Sequence, residues 1–136
     1  MAITVSGLYA ATFMDVLDTT QLALDLDLET HKIALFTTLT PNFTTDTAYG
    51  VTPYDANEVS GAGWAAGGVA LTSTALSIET GSVLTWDATN VSETTTTLAD
   101  SEGGLIYADA LAGNNAICMV YWGAGDFCSY EGSLGF

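Results

Sequence analysis

The chain has 136 residues with 16 Asp and Glu, and Lys32 is its only Lys or Arg, for a formal net charge of −15. One basic side chain cannot displace the counterions around phosphates, which excludes nucleic acid and anionic membrane surfaces as direct partners. Charged residues make up 12% and hydrophobic residues 49%, against roughly 25% charged in an ordinary soluble domain. The surface is therefore built from uncharged residues, which suits a protein that lies against neighbours in an assembly; a β domain with a polar, uncharged skin is the plainer alternative.

Leu8, Thr12, Phe13, Val16 and Leu17 recur at helical spacing, with Ser6 placed as an N-cap, and predict a short amphipathic helix over residues 7–17. Residues 22–29 alternate Leu with Asp or Glu from Leu24 onward, the period of a strand with Leu24 and Leu26 on one face and Asp25, Asp27 and Glu29 on the other; a loop of similar look is the alternative. Residues 31–38 are apolar on both faces and predict a strand central in its sheet. Residues 40–63 hold both prolines, Pro41 and Pro53, among Thr, Asn, Asp and Gly, and predict a long interaction loop. Short β segments follow at 68–71, 75–79, 83–87, 91–98, 105–111 and 116–122, with a last one near 127–136. Turns are expected at 79–81, 87–90, 101–104 and 113–115. This pattern predicts a mostly β fold, an antiparallel β-sandwich of immunoglobulin-like or jelly-roll-like type with one short N-terminal helix. Residues 1–136 form one domain, in which residues 1–30 are an N-terminal arm or helix.

Catalytic chemistry finds little support. His31 is the only histidine, no Gly-x-Ser-x-Gly elbow occurs, and neither Cys118 nor Cys128 has a base beside it in sequence. Three Cys and His residues are too few for a zinc site, and the 25/27/29 carboxylates lack the glycine and distant glutamate of a calcium loop. They read as a solvated acidic face, while an acidic hydrolase using two of the many carboxylates is left open. The run from Gly61 to Gly68 fits a relaxed dinucleotide-loop spacing, but it follows a loop and leads into β-prone residues, where a true fingerprint joins a strand to a helix. The chain is expected to be non-enzymatic, with no catalytic residue, cofactor or metal.

Two cysteines do not make a disulfide framework, and two free thiols are expected. No segment approaches the 20 or so apolar residues of a membrane span, and the N-terminus lacks the basic region of a secretory signal. Trp86, Tyr107, Tyr121, Trp122, Phe127 and Tyr130 gather in the C-terminal half, as core or interface aromatics or as a platform for sugars.

Several segments, taken in order, resemble a small structural protein widespread in tailed phages. Tyr9 and Phe13 lie in its short N-terminal helix. Lys32-Ile33-Ala34-Leu35-Phe36-Thr37 matches its Lys-Val-Ala-Leu-x-Thr strand, and Thr40-Pro41-Asn42-Phe43-Thr44-Thr45-Asp46-Thr47 its Thr-Pro-Asn loop. The most specific part is Asn57-Glu58-Val59-Ser60-Gly61-Ala62-Gly63-Trp64, continuing to Gly67-Gly68; Trp86-Asp87-Ala88-Thr89-Asn90-Val91 follows later. The chain departs from the pattern in having one Lys where such proteins are richer in Lys and Arg, and in a shorter final strand pair, which leaves an edge for a neighbour.

The resemblance implies a virion protein, most simply a capsid decoration protein. It would be made in the bacterial host cytoplasm and bound on the outer surface of the assembled head. Its partners would be the major capsid protein, or a tail protein, and copies of itself, as a trimer. Pro41, Phe43, Tyr49, Tyr54 and Trp64 are the candidate interface residues. The alternative is a tail- or fibre-associated module that recognises a host-surface glycan or protein, the glycan through Trp64, Trp86 or Trp122.

Overall fold

Ile33, Ala34, Leu35 and Phe36 leave no polar face, so the strand that carries them needs cover on both sides. The computed structural model, which describes residues 3–27, 30–93, 96–98 and 101–122, places them in β2 (Lys32–Phe36), and all four are buried. The fold is mostly β and antiparallel, β-sandwich-like, with one short helix. In chain order β1 is Gly7–Leu8, α1 Ala10–Leu17, β3 Glu58–Val59, β4 Val69–Ala70, β5 Thr72–Glu79, β6 Val83–Thr89, β7 Gly103–Tyr107 and β8 Ala116–Tyr121. The main sheet runs β1-β8-β7-β2-β3, and β4 pairs β2 on the same edge as β3. β5 and β6 form a separate two-stranded sheet.

Period-2 geometry sends alternate side chains of the main sheet to opposite faces. Ala34, Phe36, Leu105, Tyr107 and Met119 line one face with Ile3, Tyr9, Leu39 and Tyr54. Ile33, Leu35, Ile106 and Cys118 line the other, beneath Trp64, Leu71 and the half-buried Phe13, Leu24, Leu26, Trp86 and Trp122. The long loop thus covers the first face, and the helix, the leucine segment and the base of the β5–β6 hairpin cover the second.

Four expectations give way to local physics. The helix begins at Ala10 rather than Gly7, because Gly7 and Leu8 instead pair with Met119 and Cys118 and close the outer edge of β8. Ser6 is not the cap; Tyr9 occupies that position, and the Ser6 hydroxyl accepts the Tyr121 N–H at 2.8 Å. Within residues 22–27 the side chains alternate as a strand's do, Leu22, Leu24 and Leu26 half-buried and Ala23, Asp25 and Asp27 exposed, but no ladder forms. Side chains take the place of a partner strand: the Leu26 carbonyl accepts the Trp86 indole N–H at 2.9 Å and the Asp27 carbonyl the Thr74 hydroxyl at 3.0 Å. Among the described residues of 91–98, a single bridge from Thr97 to Ala62 stands where a strand was expected. The expected tail strand at 127–136 and Cys128 lie outside the described residues.

A further departure concerns glycine. Gly103 and Gly104 read as a turn, yet they open β7 and are buried. A Cβ on Gly103 would meet the Val120 carbonyl oxygen at 2.6 Å, and one on Gly104 the Ile33 Cδ1 at 2.8 Å, so these glycines permit close packing. The turn expected at 87–90 is likewise taken up, through Thr89, by β6.

Gly68 is the strictest position. Its φ is +78°, and an added Cβ would overlap the Ile33 carbonyl oxygen, a backbone atom that cannot swing away. Gly81, at the hairpin turn, has φ +85° but open space around it. Gly68→Ala is therefore expected to cost more than about 3 kcal/mol, and Gly81→Ala only about 1 kcal/mol from its left-handed backbone. Urea midpoints of the two variants check this; equal losses would show that the close approach to β2 is unimportant.

Candidate functional site

The residues that carry chemistry are engaged in packing. His31 is fully buried; its Nε2 donates to the Asp25 carbonyl at 3.0 Å, and its ring meets Trp86 edge-on at 5.4 Å. Cys118 is a buried free thiol in β8, pushed up to about 12 by burial, which makes it a small hydrophobe rather than a nucleophile. The Asp25 carboxylate accepts the Asp27 N–H at 2.9 Å, and the Asp27 carboxylate caps the Leu76 N–H of β5. Among the described residues no three His, Cys, Asp or Glu side chains gather to hold a metal ion.

The glycine-rich segment folds around a carboxylate of its own. Glu58 accepts the Gly67 N–H at 2.6 Å through one oxygen and the Tyr49 hydroxyl at 2.8 Å through the other. The Gly67 carbonyl accepts the Tyr107 hydroxyl at 2.7 Å, and the Tyr49 and Tyr107 rings stack at 4.4 Å. The segment leads into a strand, β4, and not a helix, and its Gly67 N–H is already taken by the Glu58 carboxylate.

Four of the five residues proposed for an interface pack into the chain itself, and the fifth is half-buried. Tyr54 is 1% exposed and sets its ring edge-on against Tyr9 and Phe36. Its hydroxyl donates to Asp46 at 2.7 Å and pairs with that of Tyr9. Phe43 packs edge-on against Tyr9 at 5.1 Å, and Pro41 is half-buried. Tyr49 lies on Tyr107 and Trp64 is 7% exposed. These side chains hold residues 40–63 down as a fixed cover, whose outward positions are mostly Thr, Asn, Gly and Ala. The tryptophans of the glycan alternative are also employed: Trp64 is buried, and Trp86 and Trp122 donate their indole N–H groups to the carbonyls of Leu26 and Ser101.

Exposed apolar side chains include Leu8, Met14, Leu17 and Val51, and on the β5–β6 hairpin Ile78 and Leu84 share one face. Directly opposed strand residues share a face, so the Leu76–Trp86 and Ile78–Leu84 pairs place four large side chains on one face of the β5–β6 hairpin. Leu76 and Trp86 sit half-buried at its base, whereas Ile78 is 80% and Leu84 68% exposed toward its tip. The base also borders an open groove of about 570 Å³ lined by Phe13, Val16, Leu22, Leu24, Leu26 and Leu76, with Asp25 as its one charged side chain. Arm and groove thus share Leu76 and form one apolar surface. The alternation of residues 22–27 was visible in the sequence, and 75–79 and 83–87 were read as β segments; that the two surfaces join at Leu76 was not.

Comparison with family models, with curated proteins and with solved structures finds no match.

Burial raises the tyrosine hydroxyls that fasten the loop. Tyr49 is pushed up to about 12, first by desolvation and then by its bond to Glu58, and Tyr9, Tyr54 and Tyr107 are raised further, also chiefly by desolvation. A folded-state value above the unfolded one stabilises the protonated, folded form; that contribution is complete below about pH 10 and is lost as the pH climbs through the folded values. Phenolate absorbance should therefore show Tyr49 ionising only near pH 12, and Tyr9, Tyr54 and Tyr107 only at still higher pH or upon unfolding. Ionisation of all six tyrosines around pH 10, with the far-ultraviolet dichroism intact, would contradict the network.

Proposed function

We propose that this chain is a non-enzymatic structural protein of a tailed-phage virion, a capsid decoration protein. It binds the outer surface of the assembled head, with the major capsid protein as partner, and bridges capsomers; its own copies associate as a trimer. The observation that carries this reading is the β5–β6 arm. Large apolar side chains stand on one face of a ribbon anchored at its base, which is a surface suited to another protein. The segmental resemblance to phage structural proteins supplies the setting, and the burial of His31 and Cys118 in the core supports a mechanical role.

Such a protein acts by burying apolar surface across capsomer boundaries, at roughly 25 cal/mol for each Å² removed from water. Repeated over a shell, modest contacts of this kind resist internal genome pressure. Heads lacking the protein are expected to release their genome at lower temperature than complete heads, and to regain resistance when purified protein is added back. Unchanged stability, or density for the chain confined to the tail in images of the intact particle, would sink the decoration reading.

A further inference from the structure

The arm and groove also specify the chemistry of what docks there. We propose that this surface takes an apolar segment flanked by Lys or Arg on another protein, in preference to a second copy of this chain. The proposal rests on the reading of the chain as a protein-binding module, though not on its place in a virion.

Shape and polarity select the centre of that segment. The groove between α1 and residues 22–26 has leucine and phenylalanine walls, and Leu76 leads from it onto Ile78 and Leu84. A row of two or three apolar side chains fills such a track, whereas an extended polar peptide leaves it wet. Charge selects the flanks. Asp25 lines the groove, Asp27 stands exposed beside it and Asp18 follows α1; Glu79 and Asp87 stand exposed on the reverse face of the arm and add only to the surrounding negative field. The chain's single lysine, Lys32, is held by Asp109 at 3.1 Å. A second copy would bring Asp18, Asp25 and Asp27 toward acidic surface of the same sign; a basic partner meets them with complementary charge, which speeds encounter and disfavours wrong pairings. Self-association in a trimer accordingly uses a different face.

The test uses the full chain and two synthetic probes of about 18 residues. Both carry Leu at helical spacing, with Lys at every other position in one and Glu in the other. Fluorescence anisotropy should show the Lys probe binding, the Glu probe failing to bind, and affinity for the Lys probe falling at about 0.5 M salt. The double variant Ile78→Ser, Leu84→Ser changes only exposed side chains and should weaken the Lys probe at least tenfold. Equal binding of the Lys probe by wild type and variant, or of both probes by wild type, would overturn the proposal. So would wild-type self-association in sedimentation that the double variant abolishes, since that makes a second copy the occupant. An intramolecular crosslink from a photoreactive side chain at position 84 to residues 123–136 would overturn it too, by making the chain its own ligand. Adding both proteins to depleted heads separates the two readings. Binding of wild type and variant alike keeps decoration and removes the groove's role; failure of wild type on heads beside selective binding of the Lys probe does the reverse.

Discussion

The structure depends on one strand that has no polar face. β2 lies between β7 on one edge and β3 and β4 on the other, so its backbone groups are paired, but its side chains demand a hydrophobic layer above and below. Much of the molecule answers that demand. On one side the cover is a loop with little ladder of its own, and it is fixed by aromatic rings: Phe43 on Tyr9, Tyr54 on Tyr9 and Phe36, Tyr49 on Tyr107. Burying tyrosine brings its hydroxyl inside, and each hydroxyl needs a partner. Asp46 and Glu58 supply two of these, the Gly67 carbonyl another. On the other side Leu24, Leu26 and Trp86 form the cover, and Trp86 draws the hairpin down onto the sheet.

A chain with so few cations cannot rely on ion pairs. Lys32 and Asp109 are both about one-third exposed, and a pair of that kind contributes at most about 1 kcal/mol. The carboxylates serve instead as hydrogen-bond acceptors. Asp46 accepts the Asn42 N–H and the Tyr54 hydroxyl, Glu58 the Gly67 N–H and the Tyr49 hydroxyl, and Glu102 the Ile3 N–H at 2.9 Å. Acidic residues thereby fasten loops that in other proteins are held by longer ladders, and those left at the surface give it one sign of charge.

Where periodicity and burial agree, the sequence was legible. The apolar runs of β2, β7 and β8 and the turn at Gly81 located the sheet core and the hairpin. It was less legible where two structures satisfy the same pattern. The alternation of residues 22–27 is that of a strand, but pairing depends on whether a neighbour offers its edge, and here the neighbours offer side chains. Gly103 and Gly104 have the composition of a turn, and only the packing of Ile33 and Val120 against them reveals a strand. The loop aromatics posed the same ambiguity in another form. Tyr54 and Trp64 have the character of interface anchors, and an anchor that faces inward looks identical in sequence to one that faces out. The exposed pair Ile78 and Leu84 was hidden for the opposite reason, since alternation defines a face without saying what covers it.

The arm and the charge explain each other. A two-stranded ribbon with exposed isoleucine and leucine is a hazard, because the same apolar face on the next molecule is the nearest partner available. Natural edges are guarded by charge, and here the guard is distributed: Asp25 and Asp27 beside the apolar face, Glu79 and Asp87 on the reverse face of the ribbon, and a net charge of −15 behind them. Like charge opposes the approach of a second copy without covering the apolar side chains, and on the proposed reading the surface stays open to a partner of opposite sign. The acidic composition that excludes nucleic acid is also what keeps an adhesive surface selective.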